Sequence, residues 1–129
     1  MLVTTVTNGV KVSAESVFQS SHSDTENSHY LFSYRITIEN TSSETVRLMS
    51  RYWYIFDSEG EAHEVSGDGV IGRQPLLKPG ELHRYSSACP LASGIGYMKG
   101  HYVFQKSKND QLFKVQIPTF LLEAPWLMN

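Results

Sequence analysis

The chain has 129 residues, which is the length of one domain and enough to bury about two thirds of its unfolded surface without a disulfide or metal staple. Its 40% hydrophobic content excludes a disordered chain, and its single cysteine excludes an internal disulfide framework. With 11 basic and 13 acidic residues the net charge is −2, so no electrostatic footprint for nucleic acid or an anionic membrane is present.

The N-terminus, Met1 to Thr7, lacks a basic n-region, a long apolar core and a small-residue cleavage site. No apolar run approaches the roughly 18–20 residues that span a bilayer. The expected location is therefore the cytoplasm, and residues 1–129 read as one domain. Asn8-Gly9 is the preferred chemistry of a tight hairpin. Val10, Val12 and Ala14 then alternate with Lys11, Ser13 and Glu15, a period of two. Gln19 to Ser28 is polar throughout and predicts a long, wet loop. His22, Asp24, Glu26 and His29 crowd that loop, but their spacing matches no structural zinc pattern, and no metal is assigned.

The clearest alternation follows. Tyr30, Phe32, Tyr34, Ile36 and Ile38 share one face of a predicted strand. Asn40-Thr41-Ser42 is a glycosylation sequon, which matters only in a secretory pathway. From Val46 to Phe56 the alternation changes phase: Val46 and Leu48 have one parity, Trp53 and Ile55 the other. One face of a regular strand keeps one parity, so the sequence predicts a bulge near Ser50-Arg51. Ser58-Glu59-Gly60 closes that strand, and Lys78-Pro79-Gly80-Glu81 marks a turn.

Gly67-Asp68-Gly69-Val70-Ile71-Gly72 has the spacing G-x-G-x-x-G, and Arg73 adjoins it. In dinucleotide folds such glycines let backbone amides approach a pyrophosphate at a helix N-terminus. Here the prolines at 75 and 79 rule out the helix. Two readings stay open: an amide nest for a nucleotide or polyphosphate, built from Gly67, Asp68, Gly69, Gly72 and Arg73, or glycines serving backbone geometry. Cys89 has no local base to activate it and is expected to be packed and inert. His63, His83 and His101 fall on separate predicted strands or their edges.

Met98, Gly100, Tyr102 and Phe104 form another inward face, Lys108-Asn109-Asp110 a turn, and Phe113, Val115 and Ile117 the last one. Tyr30, Phe32, Tyr34, Trp53, Tyr102, Phe104 and Phe113 are expected at the interface between two sheets. The tail, Ala124 to Asn129, either folds back on the domain or presents Trp126 to a partner or a second copy. No helical period is sustained, and strands at this spacing predict two packed antiparallel sheets. The residues supply no catalytic motif, so no enzyme, cofactor or catalytic residue is assigned.

Five blocks occur in order: Tyr34 to Asn40, Leu48 to Ile55, Glu64 to Pro75, Leu77 to Glu81 and Met98 to Tyr102. Together they resemble the ApaG family, from about Val10 to Pro125, as a stand-alone bacterial member. The resemblance implies an all-β, immunoglobulin-like or fibronectin type III-like β-sandwich of two antiparallel sheets. It implies a small cytoplasmic protein associated with cobalt resistance and magnesium efflux; the fold and the missing catalytic motif together favour a non-enzymatic binding module that docks an unidentified protein partner. Related domains sit in a eukaryotic F-box protein and a DNA polymerase delta-interacting protein. Within the family the glycine block has been discussed as a pyrophosphate loop. Family members usually carry Glu or another polar residue where Asp68 stands, and they differ in the loop around His22 to Ser28.

Overall fold

The computed structural model describes residues 1–127. Nine strands run in order: β1 (Val3–Thr7), β2 (Val10–Phe18), β3 (Tyr30–Asn40), β4 (Val46–Asp57), β5 (His63–Asp68), β6 (Leu76–Leu77), β7 (Leu82–Leu91), β8 (Ile95–Lys106) and β9 (Leu112–Glu123). Among the described residues the only helical segments are single 3-10 turns, two of them in the polar loop and one at Pro125–Leu127. The strands form a four-stranded sheet, β1-β2-β3-β7, and a five-stranded one, β5-β4-β8-β9 with β6 also on β4. Every pairing is antiparallel. The fold is the sandwich of two antiparallel sheets that the alternation predicts, in the fibronectin type III-like form that the resemblance implies.

The inner faces carry the predicted residues. Val10, Val12, Ala14, Phe32, Ile36 and Ile38 from one sheet are fully buried against Leu48, Met98, Tyr102 and Phe104 from the other. Tyr34 and Trp53 are buried too, while Tyr30 and Phe113 are only partly covered. Fully burying one such side chain stabilises by about 1.5–3 kcal/mol, so this interface dominates stability. The bulge falls at Met49: Leu48 pairs with Phe104 but Ser50 with Val103. One extra residue is what turns Trp53 inward after Leu48. A second bulge lies in β9, where Met98 pairs with Phe120 but Gly100 with Ile117. Pro118, which has no N–H to give a ladder, occupies it.

The turns follow their residues. Asn8 (φ 50°) and Gly9 (φ 80°) are both left-handed, the type I′ geometry that joins twisted strands. Gly80 has φ 86° after Pro79, and the Glu81 amide donates to the Lys78 carbonyl. Asn40 is completely buried. Its amide donates to the carbonyls of Glu44 (2.7 Å) and Leu77 (2.9 Å) and accepts from the Ser42 amide and hydroxyl. The sequon asparagine is thus a structural tie, and in the folded chain its nitrogen is inaccessible to a glycan.

The two long rims differ. On one, β1 and β2 close onto β9: the Ser16 hydroxyl donates to the Leu121 carbonyl (2.6 Å) and the Gln116 amide to the Thr7 hydroxyl (3.2 Å). On the other, β7 ends one sheet and β5 the other. His63 and Val65 belong to the inner face of β5, because they pair with the inward Ile55 and Trp53, yet both are exposed. That rim stands open.

Candidate functional site

The glycine block sits at the open rim. Gly67 and Asp68 end β5, and Val70 to Arg73 form a tight hairpin beyond it. The Gly69 amide donates to the Met49 carbonyl (2.9 Å), the Val70 amide to the Arg73 carbonyl (2.8 Å), and the Arg73 amide to the Val70 carbonyl (3.0 Å). Ile71 and Gly72 form the turn, with φ 46° and 71°. Gly69 (φ 61°) has no room for a side chain, since a Cβ would lie 2.1 Å from the Arg73 carbonyl oxygen. Gly72, by contrast, faces open space.

The residue this loop surrounds is Arg51. The bulge at Met49 gives Arg51 the parity of Trp53, so it points into the sandwich rather than away from it. Its guanidinium lies flat over Gly67, where a Cβ would come within 3.0–3.2 Å of Nη1, Nη2 and Cζ. Nη1 donates to the carbonyls of Asp68 and Gly69, both at 3.0 Å. The glycine motif therefore builds a socket: Gly67 leaves room for the guanidinium, and the turn at Gly69 aims two carbonyls at it. Among the described residues the salt bridges are those of Glu44 with Lys106 and Lys108, so Arg51 has no carboxylate partner.

Arg51 lines a cleft of about 380 Å³ between β5 and β7. Trp53, Ile55, Val65 and Val70 form its apolar wall, with Cys89 on β7 opposite. Burial pushes the Cys89 thiol up to about 11, the state of an inert packed cysteine. Burial also raises the pKa of the Tyr34 hydroxyl. At the cleft's inner end the hydroxyls of Tyr85 and Tyr102 share a 2.5 Å hydrogen bond, and burial raises both.

A second feature lies on the outer face of the five-stranded sheet. Tyr52, Tyr54 and Phe56 on β4 point outward, as do Tyr97, Lys99 and His101 on β8. Phe56 stacks on Tyr97 (5.1 Å between centroids), Tyr54 lies 6.2 Å from Tyr97, and Tyr52 stacks on His101 (5.1 Å). The Lys99 ammonium sits 5.2 Å over the Tyr54 ring, within cation–π range. Glu64 at the border accepts a hydrogen bond from the Tyr52 hydroxyl.

The other candidate residues are scattered. His63 faces the cleft, while His83 starts β7 on its inner side and His101 lies outward. Partial burial lowers the pKa of His83, helped by the charge of Arg73, and that of His101, helped by Lys114. His22, Asp24, Glu26 and His29 do not converge: among the described residues no three His, Cys, Asp or Glu side chains form a metal-holding group. Trp126 folds back, its ring 5.3 Å from Phe18 and 6.4 Å from Tyr30, but stays 54% exposed. Met128 and Asn129 lie outside the described residues. Sequence reasoning missed Arg51 and the outward aromatics. Both were encoded in β4, where Arg51 shares parity with Trp53 and the run Tyr52 to Phe56 is apolar on both parities.

Fold and rim together define a small two-sheet sandwich whose site features are a cleft and an aromatic face. The comparisons with known proteins give the family. The ApaG domain family matches residues 20–106, and the chain belongs to the ApaG family. Protein ApaG of Sinorhizobium fredii is 46% identical over 124 residues, covering 96% of this chain and 95% of that protein. Protein ApaG of Brucella anthropi is 48% identical over 120 residues, 93% and 92% of the two chains. A solved structure from Bordetella pertussis, described as an ApaA protein, superposes with a TM-score of 0.87 at 41% identity, covering 90% of this chain and 94% of that one.

Proposed function

We propose that the protein is a binding module that docks a partner protein on the outer face of its five-stranded sheet, without a chemical step. The observation behind this reading is the aromatic ladder of Tyr52, Tyr54, Phe56 and Tyr97 around Lys99. A sheet face that meets only water carries polar residues on alternate positions. Aromatic rings at a protein surface are instead the residues that dominate interface energetics. Lys99 at the centre suits a partner surface of apolar and acidic side chains. The inert Cys89 thiol and the separation of the histidines support binding without catalysis. The module acts in the cytoplasm, and any part it plays in cobalt resistance or magnesium efflux runs through its partner.

The test compares partner retention by the wild-type chain with that by Tyr54→Ser/Tyr97→Ser and by Arg35→Ser/Thr37→Ser on the opposite sheet. The proposal expects a protein retained by wild type and by the second variant and lost from the first, with all three equally folded. Equal retention by all three contradicts it. Sedimentation of the wild-type chain alone reads whether the occupant is a second copy.

A further inference from the structure

The cleft at the open rim is a different feature from the aromatic face, and its chemistry points to a different occupant. Its volume of about 380 Å³ lies within the range of small-molecule sites, roughly 300–1,000 Å³. Its wall is mostly apolar, and no carboxylate lines it. One full positive charge does: Arg51, with only Nη1 bonded to the protein. Nε and Nη2 of Arg51 have no hydrogen-bond partner among the described residues and are not buried, so their N–H donors are free for a ligand at the cleft that Arg51 lines. The guanidinium is also fixed before any ligand arrives, by two carbonyls on one side and by contact with Gly67 beneath. A pre-set fork with free donors is the standard recognition element for a planar oxyanion.

We infer that the cleft between β5 and β7 binds a small organic acid, its carboxylate on the free edge of the Arg51 guanidinium and its apolar body against Trp53, Ile55, Val65 and Val70. Charge counting separates this occupant from a polyphosphate. One guanidinium neutralises one carboxylate. A pyrophosphate brings further negative charges into a cleft whose remaining wall is largely apolar, where unpaired charge is expensive. The glycine motif contributes by seating Arg51, and the apolar wall contributes the burial that a phosphate cannot use.

The experiment titrates 2-naphthoate, the isosteric neutral 2-naphthamide and inorganic pyrophosphate into the isotopically labelled full chain and follows the amide spectrum. The expected result is saturable binding of 2-naphthoate with shifts confined to β5, the Val70–Arg73 hairpin and the Ser87 to Pro90 stretch. The naphthamide should bind at least tenfold more weakly, and pyrophosphate should cause no saturable shift there. Arg51→Gln should weaken naphthoate at least tenfold. Because Arg51 also braces the loop, Val65→Glu is the second variant: it places a competing carboxylate at an exposed edge position and should weaken naphthoate by a similar factor without disturbing the core. Equal affinity for acid and amide, tighter binding of pyrophosphate, shifts centred on Tyr54 instead, no saturation with naphthoate, or undiminished affinity in Val65→Glu would each overturn the inference.

Discussion

The two sheets share one core but turn unlike faces to the outside. The four-stranded sheet shows Lys11, Ser13, Glu15, Ser33, Arg35 and Thr37 outward, the polar half of a strand that meets water. The five-stranded sheet shows Tyr52, Tyr54, Phe56 and Tyr97 at the corresponding depth of its strands. Both inner faces are built from buried apolar residues, the five-stranded one with two bulges that reset its parity, so the requirement to fold does not explain the difference. The second sheet instead carries an aromatic ladder on its outer face, the feature on which the proposed docking rests. The edge strands of both sheets, β5 and β7, border the open rim.

Both sheets depend most heavily on Trp53. Trp53→Ala removes the centre of the core, beside Tyr34 and Phe120, and should cost about 3–5 kcal/mol in urea unfolding. At the rim, Gly69→Ala forces a Cβ into the Arg73 carbonyl at positive φ and should cost about 1–3 kcal/mol, read as a lower Tm.

Asp57, at the end of β4, sharpens the contrast through pH. Burial alone would raise its carboxyl, but hydrogen bonds from the Ser93 hydroxyl and the Ala92 and Glu59 amides outweigh burial and hold it below the usual carboxylate range. A carboxyl depressed on folding contributes stability above its unfolded pKa of about 4 and loses it as pH falls through the lower folded value. Asp57→Asn puts a donor against the Ala92 amide, which now donates to Oδ2 at 2.6 Å. It should cost about 1–3 kcal/mol at pH 7 and flatten the loss of stability below pH 4, measured by urea unfolding at each pH.

Ile71 should respond in the opposite direction. It is a β-branched, 62% exposed residue at φ 46°, a conformation that costs an L-residue roughly 1–2 kcal/mol. Ile71→Asn creates the Asn-Gly pair that this turn favours and should stabilise by about 1 kcal/mol. The smallest effect on stability belongs to Tyr54→Ala, less than about 1 kcal/mol, although it sits next to Trp53. Its loss should appear in partner binding.

Much of this was legible in the sequence. Alternation placed Phe32, Ile36 and Tyr102 inward because a period of two is all a half-buried strand needs. The parity conflict between Leu48 and Trp53 announced a bulge within two residues of Met49. The bulge in β9 left the same kind of trace, since Ile117 and Phe120 are both buried with opposite parity. β5 was silent: His63, Glu64, Val65 and Ser66 are exposed, so backbone pairing to β4 holds the strand and no hydrophobic pattern marks it. Arg51 was hidden for a related reason. A cation between Ser50 and Tyr52 reads as surface until the bulge reverses its direction, and its socket needs Gly67 from the neighbouring strand. The glycine motif was visible, but pairing across strands, not spacing along the chain, shows what it surrounds.

The outer-face contrast is tested most directly by photo-crosslinking in intact cells. One chain carries a photoreactive phenylalanine analogue at position 97, on the aromatic face, and another carries it at position 35, on the polar one. The account predicts a discrete protein adduct from position 97 and none from position 35. An adduct from position 35 alone, or the same adducts from both, would contradict it.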